Sequence, residues 1–119
     1  MDKSNALDAF AALSQVSRLD AFRLLVHAGK AGMLAGEVSA ALDVRQNTMS
    51  ANLAILLNAG LLRNEREGRA IRYFANMDGL SGLLGFLLQD CCGGRPELCE
   101  PLIQDIACGC GPSSKENTT

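Results

Sequence analysis

Apolar positions along the first 60 residues recur at helical spacing. In "SNALDAFAALS", Leu7, Phe10 and Ala11 share one helix face, and Ser4 stands where an N-cap would. A second helix is predicted from Ser17 to about Ala28, with Ser17 as its cap and Leu19, Phe22, Leu25 and Val26 as its apolar side; the glycines of "AGKAG" end it. A short helix follows, roughly Ala35 to Leu42. A turn containing Asp43 and Val44 leads to a longer helix, roughly Arg45 to Ala59. Met49, Leu53, Leu56, Leu57 and Gly60 line one side of it, and Gly60 suits the C′ position. Two helices joined by so short a turn predict a helix-turn-helix.

The period then changes. Ile71 and Tyr73 alternate with Arg72, and "EREGR" is a polar turn with Gly68 at its tip, so a β-hairpin is predicted with 62–66 paired to 70–75. "GLSGLLGFLLQD" returns to helical spacing through Leu80, Leu83, Leu84, Leu87 and Leu88. Gly93 and Gly94 end that helix, Pro96 and Pro101 prevent a long continuation, and "GPSSKENTT" reads as a loose tail. The order helix, helix, helix-turn-helix, hairpin, helix predicts a mainly α winged helix-turn-helix. Residues 1–90 form the expected DNA-binding and dimerisation domain, and 91–119 a cysteine-containing segment and tail.

Charge sharpens this picture. The 119 residues carry a formal net charge of −2, which taken alone argues against nucleic acid. The distribution does not: residues 1–42 balance four basic against four acidic groups, 43–75 hold five arginines against three acids, and 76–119 hold two basic against six acidic groups. A positive middle and a negative end favour local attraction for phosphate. No apolar run of about 18 residues occurs, and "MDKSNALDAF" lacks the blocks of a signal peptide, so a cytoplasmic protein is expected.

A recognition helix offers its first turns to the major groove. Here these read "RQNTMSAN". Asn47, Thr48 and Ala51 point farthest from the apolar side, while Gln46 and Ser50 flank it but still reach outward. Gln and Asn can pair bidentately with adenine, and Ser and Thr donate or accept with either partner. Arg45 and the hairpin arginines Arg66, Arg69 and Arg72 suit phosphate or minor-groove contact. A bundle facing only water would show similar residue types; periodicity alone favours the reading of double-stranded DNA over it.

"VRQNTMSANLAILLNAGLLRNEREGRAIRYFA" resembles the signature of the ArsR/SmtB family of winged-helix repressors, through Gln46, Met49, Ser50, Leu53, Ala59-Gly60-Leu61, Gly68-Arg69, Ile71 and Tyr73. "ALSQVSRLDAFRLL", with Arg18, resembles the opening of that family's second helix. The resemblance spans roughly residues 6 to 90. It implies a homodimer through the first and last helices, operator binding without inducer, and release when inducer binds. One departure is that Ala51 and Asn52 stand where the family often has His, so DNA contacts at Gln46, Asn47 and Ser50 carry over better than any at 51 or 52.

All five cysteines, Cys91, Cys92, Cys99, Cys108 and Cys110, lie beyond position 90. An odd number confined to one end is no secreted disulfide framework, so metal or redox chemistry is the better explanation. The family's inducer sites lie at different points of one scaffold. "MLAGEVSAAL" in the third helix has no cysteine and "GLSGLLGFLLQD" has no histidine, so neither the third-helix thiol site nor the last-helix zinc site is expected. His27, the lone histidine, reads as an ordinary surface or core residue. Three thiols at Cys91, Cys92 and Cys99, without a nearby fourth donor, suit a three-coordinate As(III) or Sb(III) better than tetrahedral zinc. "CC" and a third Cys after the last helix also resemble the family's arsenic-responsive branch. Cys108 and Cys110 could form a second thiol site, substitute in the first, chelate a methylated arsenical or be inert. The rival within the fold is a zinc- or thiol-redox-responsive repressor. An enzyme is not expected: no nucleophile–base pair, C-x-x-C or phosphate-binding glycine loop occurs.

Overall fold

The computed structural model describes residues 2–88. The elements run α1 (Lys3–Leu13), α2 (Val16–Ala28), a 3₁₀ turn (Gly29–Ala31), β1 (Met33–Leu34), α3 (Ala35–Leu42), α4 (Gln46–Asn58), β2 (Leu62–Glu67), β3 (Ala70–Ala75) and α5 (Met77–Leu88). This is the expected winged helix-turn-helix. None of the described helices is long and apolar enough to cross a membrane. The thiols at Cys91, Cys92, Cys99, Cys108 and Cys110 and the helix end predicted at 89–90 lie outside the described residues.

Two caps differ from expectation. Asp2, not Ser4, caps α1, its Oδ1 accepting from the Asn5 N–H at 2.8 Å. Gln15, not Ser17, caps α2, its Oε1 accepting from the Arg18 N–H at 3.0 Å. The face of α1 also differs. Ala6, Ala9 and Ala12 are buried, whereas Leu7 and Phe10 are 59% and 38% exposed. Alanines bring the α1 backbone close against α2 and α4, which turns the larger side chains outward. On α2, Phe22 and Leu25 are buried as expected, with Ala21 joining them, but Leu19 is exposed.

The centre of the core is the predicted stripe of α4. Met49, Leu53 and Leu56 are fully buried with Leu25, Val38 and Leu61. Truncating one such leucine to alanine typically costs about 2–5 kcal/mol, so this stripe fixes how α4 sits on α2 and α3.

The turn before α4 is closed by Asp43 in the left-handed region (φ 55°, ψ 48°). The Val44 N–H donates to the Ser39 carbonyl at 3.0 Å, and the buried Ser39 hydroxyl donates to the Val44 carbonyl. Gly60 (φ 83°) ends α4 in a Schellman turn: the Leu61 N–H reaches the Leu56 carbonyl and the Gly60 N–H the Leu57 carbonyl, both at 3.0 Å.

The hairpin is longer than predicted by one residue and carries a third strand. The antiparallel order is β1-β3-β2, with Met33 opposite Tyr73 and Leu34 opposite Arg72. Two residues are too few to leave a periodic trace, which is why β1 is invisible in the sequence. Gly32 lets β1 approach β3: with φ 62° and ψ −172°, a Cβ there would lie 2.6 Å from both the Phe74 ring and the Tyr73 carbonyl oxygen. In β2–β3 only Gly68 of the two-residue loop has positive φ, 61°, the type II′ pattern.

Gly32→Ala is expected to cost about 2–4 kcal/mol, from a glycine-only backbone and an overfilled contact. Asp43→Gly is expected to gain about 1 kcal/mol by relieving a side chain in the left-handed region. Urea unfolding of both variants checks this; a Gly32→Ala protein as stable as the parent contradicts the close approach.

Candidate nucleic-acid interface

The first turn of α4 faces outward. Arg45 occupies the N-cap position with extended backbone (ψ 142°) and no side-chain cap bond. Gln46, Asn47, Thr48 and Ser50 are all exposed, while Met49 between them is fully buried. The Asn47 Oδ1 accepts the Thr48 N–H at 2.8 Å, leaving its amide NH₂ to donate. An N-terminus without a side-chain cap directs its remaining N–H groups and the positive end of the helix dipole at whatever anion approaches.

The wing completes a groove with this helix. Leu34, Gly36 and Glu37 at the start of α3, Gln46 and Ser50 of α4, and Arg69, Ile71 and Tyr73 of the wing line a space of about 560 Å³. The predicted residues Gln46, Ser50 and Arg69 are thus brought together. A methyl at Gly36 would make ordinary van der Waals contact with the Gln46 amide, 3.7 Å from its Nε2. Arg66 pairs in register with Ile71, so it shares the wing face that carries Ile71 and Tyr73.

Arg72 lies elsewhere. Period-two alternation puts it on the strand face opposite Ile71 and Tyr73. Its Nε and Nη2 donate to the two Glu67 carboxylate oxygens at 2.6 and 3.2 Å, and its Nη1 donates to the Ala31 carbonyl at 3.1 Å. The hydrogen bonds from Arg72, reinforced by its charge, hold the Glu67 carboxyl below the usual carboxylate range, and the same bonds raise the guanidinium's own pKa. The pair therefore survives to lower pH than an isolated glutamate would. On the same face Arg63 stacks over the Phe74 ring at 4.3 Å and meets Glu65 at 3.2 Å.

Asn52 was not anticipated as a structural residue. It is 7% exposed, and its Oδ1 accepts from Arg18 Nη1 at 3.3 Å, while Arg18 Nε donates to the Ala12 carbonyl at 2.7 Å. This ties the end of α1 to α2 and α4. The spacing contained the signal, since 49, 52, 53 and 56 complete the i, i+3, i+4, i+7 face. Among the described residues no group of three or more His, Cys, Asp or Glu side chains could hold a metal ion.

Fold and groove together define a winged helix-turn-helix of the kind found in transcriptional regulators. Residues 13–65 match the helix-turn-helix domain family. No curated protein matches the chain. Among solved structures, the chain is similar to an ArsR-like transcriptional regulator from Rhodococcus sp. RHA1, with 27% identity over 87% of this chain and 93% of the other and a TM-score of 0.66. HlyU from Vibrio cholerae N16961 shares 23% identity over 77% of this chain and 99% of its own, with a TM-score of 0.60. A homodimeric winged helix-turn-helix DNA-binding domain from Mycobacterium bovis, a possible ArsR-family regulator, shares 24% over 73% and 81%, with a TM-score of 0.59.

Asn52→Ala is expected to lower stability by about 1–3 kcal/mol, because Arg18 loses a buried partner, and to leave affinity for a DNA duplex unchanged. Thermal unfolding and a binding titration on the same preparation separate the two; a loss of affinity without loss of stability would make Asn52 a DNA contact.

Proposed function

We propose that this protein is a cytoplasmic, homodimeric DNA-binding repressor of the ArsR type, released from its operator by trivalent arsenic or antimony held at Cys91, Cys92 and Cys99. The observation that carries the DNA half is the single groove shared by Gln46, Ser50 and Arg69. Gln46, Asn47, Thr48 and Ser50 offer donors and acceptors to base edges. Arg45, Arg66 and Arg69 offer charge to phosphate. Similarity to the Rhodococcus ArsR-like regulator supports the same reading.

The dimer half rests on α1. Leu7 and Phe10 are exposed apolar side chains on one helix, and a twofold partner would bury them. On α5, Met77 and Leu87 are also exposed. A twofold dimer reads two half-sites about 34 Å apart, one helical turn of DNA, so a small change in how subunits meet alters the fit of both recognition helices.

The inducer half rests on donor chemistry. Thiolates select soft ions, and a set of three suits a pyramidal trivalent metalloid where zinc commonly takes four ligands. The physical link to DNA is the start of α5. The Asn76 Nδ2 donates to the Gly60 carbonyl at 3.0 Å, its Oδ1 accepts the Gly79 N–H at 3.3 Å, and its own N–H donates to the Leu61 carbonyl at 2.9 Å. A change imposed on α5 therefore reaches the end of the recognition helix directly. Coupling of this kind typically changes affinity about 5–150-fold.

The full-length protein is expected to bind a twofold-symmetric duplex selected from a random pool, and arsenite to release it. Replacing Cys91, Cys92 or Cys99 with Ser should preserve binding and abolish release, while replacing Cys108 and Cys110 together should leave release intact. Release by zinc or peroxide but not arsenite would replace the inducer and keep the regulator. Failure to select any duplex would remove the DNA reading. Separately, Phe10→Asp is expected to shift the protein from dimer to monomer in sedimentation and to weaken duplex binding; an unchanged dimer would move the interface off α1.

A further inference from the structure

We infer that Arg72 is a positioning residue that holds the wing at its working angle, and that it does so from the face turned away from the groove. The inference rests on the DNA-binding reading above for its functional consequence, but its mechanical content stands on the free protein. One guanidinium joins three elements. Its fork closes on both oxygens of Glu67, the last residue of β2, at 2.6 and 3.2 Å. Its Nη1 reaches back to the Ala31 carbonyl at 3.1 Å in the 3₁₀ turn and stands 4.0 Å from Glu37 of α3. Glu37 is itself anchored, its Oε1 accepting the Leu34 N–H at 2.8 Å.

The wing needs such a tie. β1 pairs with β3 only at Tyr73 and Arg72, so among the described residues the ribbon beyond them, from Arg66 through Gly68 and Arg69 to Ile71, has two strands and no third. An isolated two-stranded ribbon is marginal in water. Arg72 sits at the last position where the wing is still joined to the body, and its side chain reaches two residues outward along β2 to Glu67, beside the tip. A bidentate guanidinium–carboxylate contact fixes direction as well as distance, which a single ammonium contact does not. The side chain is 25% exposed, against 50% for Glu67. Its charge is already met by carboxylates, and all three guanidinium nitrogens make hydrogen bonds. Arg69, in contrast, lines the groove. The strut is what sets where Arg69 arrives.

The test uses the full chain, a mixed-sequence duplex of about 30 base pairs, enough for two half-sites, and amide hydrogen exchange of the protein without DNA. Four variants are compared: Arg72→Ala, Arg72→Lys, Glu67→Ala and Arg69→Ala. If Arg72 is a strut, amides of residues 65–71 exchange about threefold faster in the first three, as expected for loss of an exposed but well-oriented pair. Glu67→Ala then weakens duplex binding although it removes a negative charge. Arg69→Ala weakens binding with unchanged exchange, and flattens the dependence of log affinity on log salt by about 0.9, the signature of one lost phosphate contact. If Arg72 instead contacts phosphate, Glu67→Ala releases it: binding tightens, the salt dependence steepens, and the inference is overturned. Unchanged exchange in both Arg72→Ala and Glu67→Ala overturns it as well, whatever the duplex result. Should the parent protein bind no duplex, the DNA reading fails, and the exchange comparison alone still decides whether Arg72 holds the wing.

Discussion

Three elements meet at two adjacent carbonyl groups, those of Gly60 and Leu61, and the geometry of the groove between α4 and the wing depends on that junction. α4 ends there in its Schellman turn, and β2 begins at Leu62, opposite Ala75 at the end of β3. Asn76 then takes both carbonyls, one through its side chain and one through its backbone, and caps α5 with its remaining oxygen. Gly79 allows the approach, because a Cβ there would overlap the Gly60 carbonyl. Neither the helix end nor the start of α5 can shift without breaking hydrogen bonds that belong to the other. Recognition helix, wing and last helix are thereby joined through backbone geometry at one point, and not through adjustable side-chain packing alone.

A second fixed point lies at the opposite side of α4. Asn52 and Arg18 form a polar contact inside an otherwise apolar face, and Arg18 extends it to the end of α1 through the Ala12 carbonyl. An apolar residue at 52 would pack, but it would leave the Arg18 guanidinium without that partner. The contact adds a directional bond to a face otherwise held by Met49, Leu53 and Leu56, whose burial turns Gln46, Asn47, Thr48 and Ser50 outward.

Much of this is legible in residue order alone. The period of α4, the short turn before it, the glycine after it and the alternation in the wing are local consequences of backbone geometry, and each leaves a mark in residue order. What stayed hidden had physical reasons too. β1 is two residues long and exists because β3 passes nearby. The outward turn of Leu7 and Phe10 comes from the choice of alanines for the close contact, which inverts the rule that the largest apolar side chains go inside. Asp2 outcompetes Ser4 as a cap because the helix starts a turn earlier than its apolar pattern does. Arg66, Arg69 and Arg72 look alike in sequence, and only the strand register separates the faces they occupy. The candidate thiol ligands are legible in sequence alone, as a donor set of suitable number and softness.

That separation of faces explains how a chain with net charge −2 can offer a cationic surface. Of the five arginines between residues 43 and 75, Arg63 and Arg72 are met by Glu65 and Glu67 on one face of the wing. Both glutamates are used in this way, so they do not offset Arg45, Arg66 and Arg69. Arg69 lines the groove, and Arg66 shares its strand face. Exposed ion pairs of this type add little to stability. Their consequence is spatial: they hold the charge of Glu65 and Glu67 on the wing face that carries Arg63 and Arg72, so that Glu37 is the carboxylate lining the groove among the described residues. Fields from exposed charges fade over roughly 8–10 Å at physiological salt, so a phosphate approaching α4 senses the nearby arginines far more than the acidic groups elsewhere along the chain. Overall charge is therefore a poor guide to partner here, and the placement of Glu65 and Glu67 beside Arg63 and Arg72 is the better one.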